Sequence, residues 1–182
     1  MILAAWDVKE WAAVLAPGIA LFIGVITLLV NGERAERRRR RDLYARALAA
    51  TTAYAEVPFA IRRRQHEPDR RSAERVRLTA HFSAIQTELE ICQTLIDAEH
   101  HAAVSATYRE LVEATRRIAG AAARAAWNED PIERDLDMNM PDLAEELQPL
   151  TVHRQRFADA VQHATRSPWR KFRDAIELPS TP

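Results

Sequence analysis

The chain has 182 residues, with 26 Lys+Arg against 26 Asp+Glu and a formal net charge of zero. That length allows one modest domain and an appendage, and its 4 glycines form neither a Walker A loop nor a dinucleotide fingerprint. Alanine, leucine, arginine and glutamate dominate while strand formers are sparse, which predicts an all-α protein.

The charge is unevenly placed. Residues 33–80 carry 14 arginines against 7 acids, and residues 81–182 carry 11 Lys+Arg against 17 acids. A basic half beside an acidic half points to an anionic surface near the first.

In chain order, residues 1–10 read as an external N-terminal tail. Trp11 to Val30, "WAAVLAPGIALFIGVITLLV", has no charged residue and is long enough to cross a bilayer as a helix. Asp7, Lys9 and Glu10 give the start the wrong charge pattern for a cleaved signal peptide. We expect a transmembrane helix over 11–31. Ala12, Ala16, Ala20 and Gly24 recur at every fourth position, a spacing that lets two spans approach closely and self-associate.

Beyond Gly32 comes the block Arg34, Arg37, Arg38, Arg39, Arg40 and Arg41. It outweighs the positive charge on the other side of the span, so the positive-inside rule puts the bulk of the chain in the cytoplasm of the cell membrane, with the N-terminus outside. Placed there, each arginine near an anionic leaflet contributes about 1 kcal/mol. Nucleic acid is a poor fit, because no aromatic platform or helix-turn-helix accompanies the block.

A basic stem helix is expected over 32–66, with Leu43, Ala47, Ala50, Tyr54, Val57 and Ile61 as its seam and Pro58 as a kink. "RRRQHEPDRRS" should end it, with Pro68 and Asp69 in the turn and Ser72 capping the next helix. Arg62, Arg63, Arg64, Arg70 and Arg71 form a second basic cluster, roughly 45 Å from the span if helical. A span does not explain them, and they are candidates for binding a partner.

A cytoplasmic antiparallel bundle of three to four helices is expected over 70–178. One helix carries Leu78, Phe82, Ile85, Leu89, Cys92 and Ile96 at heptad spacing, with Ile91 and Leu95 widening the stripe as if it met more than one neighbour. The next carries Val104, Tyr108, Leu111, Thr115, Ile118, Ala122 and Ala125. "NEDPIERDLDMNMP" reads as a long acidic loop whose Asp130, Glu133, Asp135 and Asp137 could face a basic partner; it lacks the glycine and closing glutamate of an EF-hand. Pro141 suits a first helical position, Pro149 forces a kink or restart, and Leu143, Leu147, Leu150, Phe157 and Val161 continue the apolar face. "SPWRKFRDAIEL" reads as either a last bundle helix or a small amphipathic helix, with Ser167 as its cap, and residues 179–182 are expected to form a disordered tail.

No catalytic constellation emerges, and neither a cofactor nor a metal is expected. Asp97 with His101, and Asp159 with His163, share helix faces at a spacing that acidic helices produce by chance. The lone Cys92 sits at a core position and reads as a buried thiol.

"RRRRDLYARALAATTAYAEVPFAIRRR", followed by a charged helical pair, resembles a group of small actinobacterial and phage-borne membrane proteins. The likeness covers the span and stem to about Arg64 and, more loosely, the break at "AAWNED". It implies one N-terminal span and a helical cytoplasmic part, and no activity. The expected function is a membrane-anchored, self-associating helical protein that acts by protein–protein interaction or regulation. A pore-type effector in phage exclusion or defence is the alternative, disfavoured because Thr27 is the span's only hydroxyl.

Overall fold

The structure is a computed structural model that describes residues 8–65 and 67–165; within these, the side chains of residues 8–30, 33, 68, 135 and 136 are not described. All regular structure among the described residues is helical: α1 (Val8–Arg62), α2 (Pro68–Ala98), α3 (Ala102–Asn128), a 3-10 turn (Asp135–Met138), α4 (Pro141–Leu147) and α5 (Leu150–Thr165). The chain divides into two compact units, Met1–Arg41 and Asp42–Pro182.

In the first unit, Glu36 accepts from Arg39 Nη2 and from Arg40 Nε, both at 3.0 Å. Exposed pairs of this kind at i,i+3 and i,i+4 are worth only a few tenths of a kcal/mol. Among the described residues no helix is long and apolar enough to cross a membrane. The expected span from Trp11 to Val30, and the stripe Ala12, Ala16, Ala20 and Gly24 within it, fall where side chains lie outside the described residues.

The second unit is a four-helix bundle built from the last turns of α1 with α2, α3 and α5. Tyr44, Ala47, Ala50, Tyr54, Val57 and Ile61 of α1 are all buried, while Leu43 is half-buried. Pro58 does not end α1, which continues to Arg62. α2 departs from the sequence reading at its start. Pro68 is the first helical residue rather than a turn residue, Glu67 takes the cap position, and Ser72 lies inside the helix. The reason is that the fixed φ of proline suits the first turn, where its missing N–H is not needed.

Contacts set the topology. Tyr54 packs tilted against Phe82 with ring centres 4.9 Å apart, and Arg46 Nη2 meets Glu88 Oε2 at 2.8 Å, so α2 runs antiparallel to α1. Asp97 pairs with Arg109 at 3.0 Å and Glu90 with Arg116 at 3.5 Å, which turns α3 back again. α3 therefore runs parallel to α1. Its buried Ala119, Ala122, Ala123 and Ala126 thin it on the inner side, and a Cβ on Gly120 would stand 3.4 Å from Tyr54 Oη. α5 returns antiparallel to α3, and its Phe157 wedges edge-on to Tyr44 at 6.3 Å and against Tyr108 at 5.3 Å. Burying an aromatic side chain of this size contributes about 2–3 kcal/mol, so this triad anchors α1, α3 and α5 together.

The core face of α2 is as expected: Leu78, Ile85, Leu89, Cys92 and Ile96 are buried and Phe82 is half-buried. Ile91 and Leu95 are not part of it. They stay 40% and 41% exposed, away from the helix face that packs into the core. α4 and α5 are separated at Gln148 and Pro149, the restart that Pro149 imposes. The segment from Arg166 onward, with Ser167, Trp169 and the expected tail, lies outside the described residues.

Candidate interaction site at the loop end of the bundle

α3 ends at Asn128, and its last carbonyls have no intrahelical donors. Arg64, just past the end of α1, supplies them. Its Nη1 donates to Ala126 O at 3.0 Å and to Ile61 O at 2.9 Å, and its Nη2 donates to Glu129 O. One planar guanidinium thus closes the C-termini of two parallel helices, where a cation is also favoured by the helix dipole. The same group lies over the Trp127 ring, 5.5 Å from its centre. Burial lowers its pKa, with the neighbouring charge of Arg62 adding to the effect.

The rest of the second cluster follows suit. Arg62 forms an ion pair with Glu129, and its carbonyl accepts from Ile132 N–H at 2.9 Å. Arg63 donates to Met138 O at 3.1 Å and covers the Phe59 ring at 5.7 Å. Arg70 pairs locally with Glu67 at 3.4 Å. So the structure brings Arg62, Arg63 and Arg64 together with the acidic loop. Two stretches read from sequence as separate binding surfaces hold each other.

What remains open is a cleft of about 1160 Å³ over this junction. Arg62 and Arg71 line it together with Asp130, Glu133, Asp137, Asp142 and Glu146. Arg134 is held to Asp137 at 2.8 Å, which stiffens the loop's 3-10 turn. The Asp135 side chain is outside the described residues. A smaller groove of about 660 Å³ lies between α1, α2 and α3, with Leu78 and Phe82 below and Arg75 and Arg124 at the rim. Arg75 also lies over the Trp127 ring, 5.9 Å from its centre. The role of Trp127 was not legible in the sequence, because both guanidinia come from segments some fifty or more positions away.

The remaining chemistry-bearing residues are occupied structurally. Cys92 is buried, and its thiol is pushed up to about 11 mainly by that burial. It lies 3.8 Å from Glu88 Oε1. Tyr108, buried beside it, is likewise pushed up by burial. Asp97 accepts from Ser105 Oγ and from Gln93 Nε2 at 3.2 Å, and the Ser105 bond does most to hold its carboxyl low. Asp159 accepts from Gln155 at 2.8 Å. No group of three His, Cys, Asp or Glu among the described residues is placed to hold a metal ion.

Comparisons with protein-family models, with curated proteins and with solved structures found no match to this chain.

Proposed function

We propose that the chain is a single-span membrane protein that presents its helical bundle at the cytoplasmic face and acts by holding a protein partner, without catalysis. The observation that carries this reading is the uncharged run from Trp11 to Val30 followed at once by Arg34, Arg37, Arg38, Arg39, Arg40 and Arg41. A backbone that is helical from Val8 to Arg62 supports it, since a helix is the way a single segment satisfies its own backbone in lipid. In that setting the arginines face anionic headgroups and fix orientation.

The partner surface is the cleft at the loop end. Its mixture of arginine and carboxylate walls suits a charged peptide segment rather than an apolar one. Self-association accompanies this role.

Extraction of cell membranes with alkaline carbonate tests the reading. The full chain stays in the membrane pellet if it spans. Release into the supernatant, as for a peripheral protein, would overturn it.

A further inference from the structure

The groove of about 660 Å³ between α1, α2 and α3 shares only Asn128 with the cleft at the loop end. Its floor is apolar and aromatic: Val57 and Ile61 from α1, Leu78 and Phe82 from α2, and Trp127 from α3. Its charged lining among the described residues is Arg75, Arg116 and Arg124, with no acid. A mostly apolar hollow of this size, with a few polar groups to fix orientation, is the ordinary form of a small-molecule site.

The polar groups in the groove are not used up by the bundle. Arg116 is held by Glu90 at 3.5 Å, but Arg75 and Arg124 meet no carboxylate among the described residues. Tyr54 lines the groove and is only 4% exposed, yet its hydroxyl makes no hydrogen bond among the described residues. Positive charge is crowded at one end. Arg64 and Arg75 both lie over the Trp127 ring, and after burial the like charges of Arg62, Arg71 and Arg75 further lower the Arg64 pKa. An anion there would relieve that repulsion. The floor is also kept bare beside the Tyr54 hydroxyl. A methyl on Gly120 would stand 3.4 Å from Tyr54 Oη, an ordinary contact. Alanine would therefore fit, and would favour the helix by about 1 kcal/mol, so packing within the bundle does not demand the glycine.

The groove has a direction. Because α2 and α3 run antiparallel, Arg75 lies at the Trp127 end, and Arg124 is one turn of α3 from that ring. Phe82, Gly120 and Tyr54 lie toward the other end, roughly 10 Å away along α3. We infer that the groove binds a small aromatic carboxylate, its charged group at Arg75 and Arg124 and its ring over Phe82 and Gly120, toward the Tyr54 hydroxyl. Guanidinium forks match a carboxylate in shape as well as charge, and the aromatic floor suits a flat apolar body. This site does not depend on the membrane reading and is separate from the partner surface at the loop end.

Isothermal titration calorimetry of the full chain in non-ionic detergent tests it, with naphthoate as the probe, naphthamide as its neutral match, and detergent alone as the blank. Naphthoate should saturate a single site, and naphthamide should bind about ten-fold more weakly, the worth of a charged hydrogen-bonded pair. The double variant Arg75→Gln/Arg124→Gln should weaken naphthoate about ten-fold and leave naphthamide nearly unchanged. Gly120→Leu fills the floor and should abolish binding of both. Arg117→Gln, on the exposed part of α3 outside the groove, should change neither. Helix content by circular dichroism checks that each variant is folded. No saturable binding of naphthoate would overturn the inference. Equal affinity for the amide would show an apolar groove without anion recognition and overturn it too. So would unchanged naphthoate affinity in the double arginine variant or in Gly120→Leu.

Discussion

The two arginine clusters have nearly the same composition and opposite surroundings. Around Arg34 to Arg41 the contacts of Glu36 are one helical turn long, and Arg34, Arg38, Arg39 and Arg41 are exposed. Around Arg62 to Arg64 the partners come from more than sixty residues away, and they are backbone carbonyls as much as carboxylates. What separates the clusters is the presence of a helix end. An arginine block beside an open helix flank keeps its charge for a distant surface. One beside the unfilled C-terminus of another helix becomes a cap.

The sharpest way to break that comparison is Arg64→Ala. It removes the charged donor from the half-buried Ala126 carbonyl and the exposed Glu129 carbonyl, and should cost about 1–2 kcal/mol in urea unfolding. Arg64→Lys should recover only part, because a point charge lacks the fork. Arg38→Ala and Arg41→Ala should stay within about 0.5 kcal/mol of the parent.

The other end of α3 sharpens it by contrast. There Asp97, near the end of α2, ties the two helices together by accepting from Ser105 and pairing with Arg109. The folded pKa values of Asp97 and Glu88 lie below their ordinary 3.8 and 4.5, Glu88 chiefly through the hydrogen bonds from Arg46. Depressed folded values mean a stabilisation that is complete above the ordinary pKa and is lost as pH falls from there through the folded value. Denaturation midpoints followed by fluorescence should therefore be flat near neutrality and drop below about pH 4.5. Ser105→Ala should make the lower part of that drop shallower.

In the same turn, His100 holds φ at 56°, a left-handed backbone that suits glycine. His100→Gly should raise stability by about 0.5 kcal/mol, the relief of that conformation less the added freedom of the unfolded chain. Smallest of all, Glu129→Ala should cost about 0.3 kcal/mol. It removes an exposed ion-pair partner of Arg62 and leaves the carbonyl bonds to Arg64 intact.

Much of the bundle was legible because its signals are local. The seam of α2 and most of that of α3 follow from periodicity alone, and Pro141 and Pro149 mark where α4 begins and where the chain restarts as α5. The start of α2 was misplaced because Pro68 is equally at home in a turn and at a first helical position. The site was less legible for a different reason. Nothing near Arg64 in the chain announces the end of α3, and nothing near Glu129 announces Arg62. Ile91 and Leu95 show the same limit in reverse: their excess on α2 was visible as an extra stripe, but only the packed bundle shows that the stripe is left outside.

The account turns on the first cluster marking a boundary with the bundle on its cytoplasmic side. Labelling intact cells with a membrane-impermeant maleimide tests this most directly, using full-length Lys9→Cys and Ala125→Cys variants, since Ala125 is exposed on α3 and Cys92 is buried. The account predicts that the thiol at position 9 labels in intact cells and the thiol at 125 labels only once the membrane is opened. Labelling at 125 in intact cells, or at neither position until the cells are opened, would contradict it.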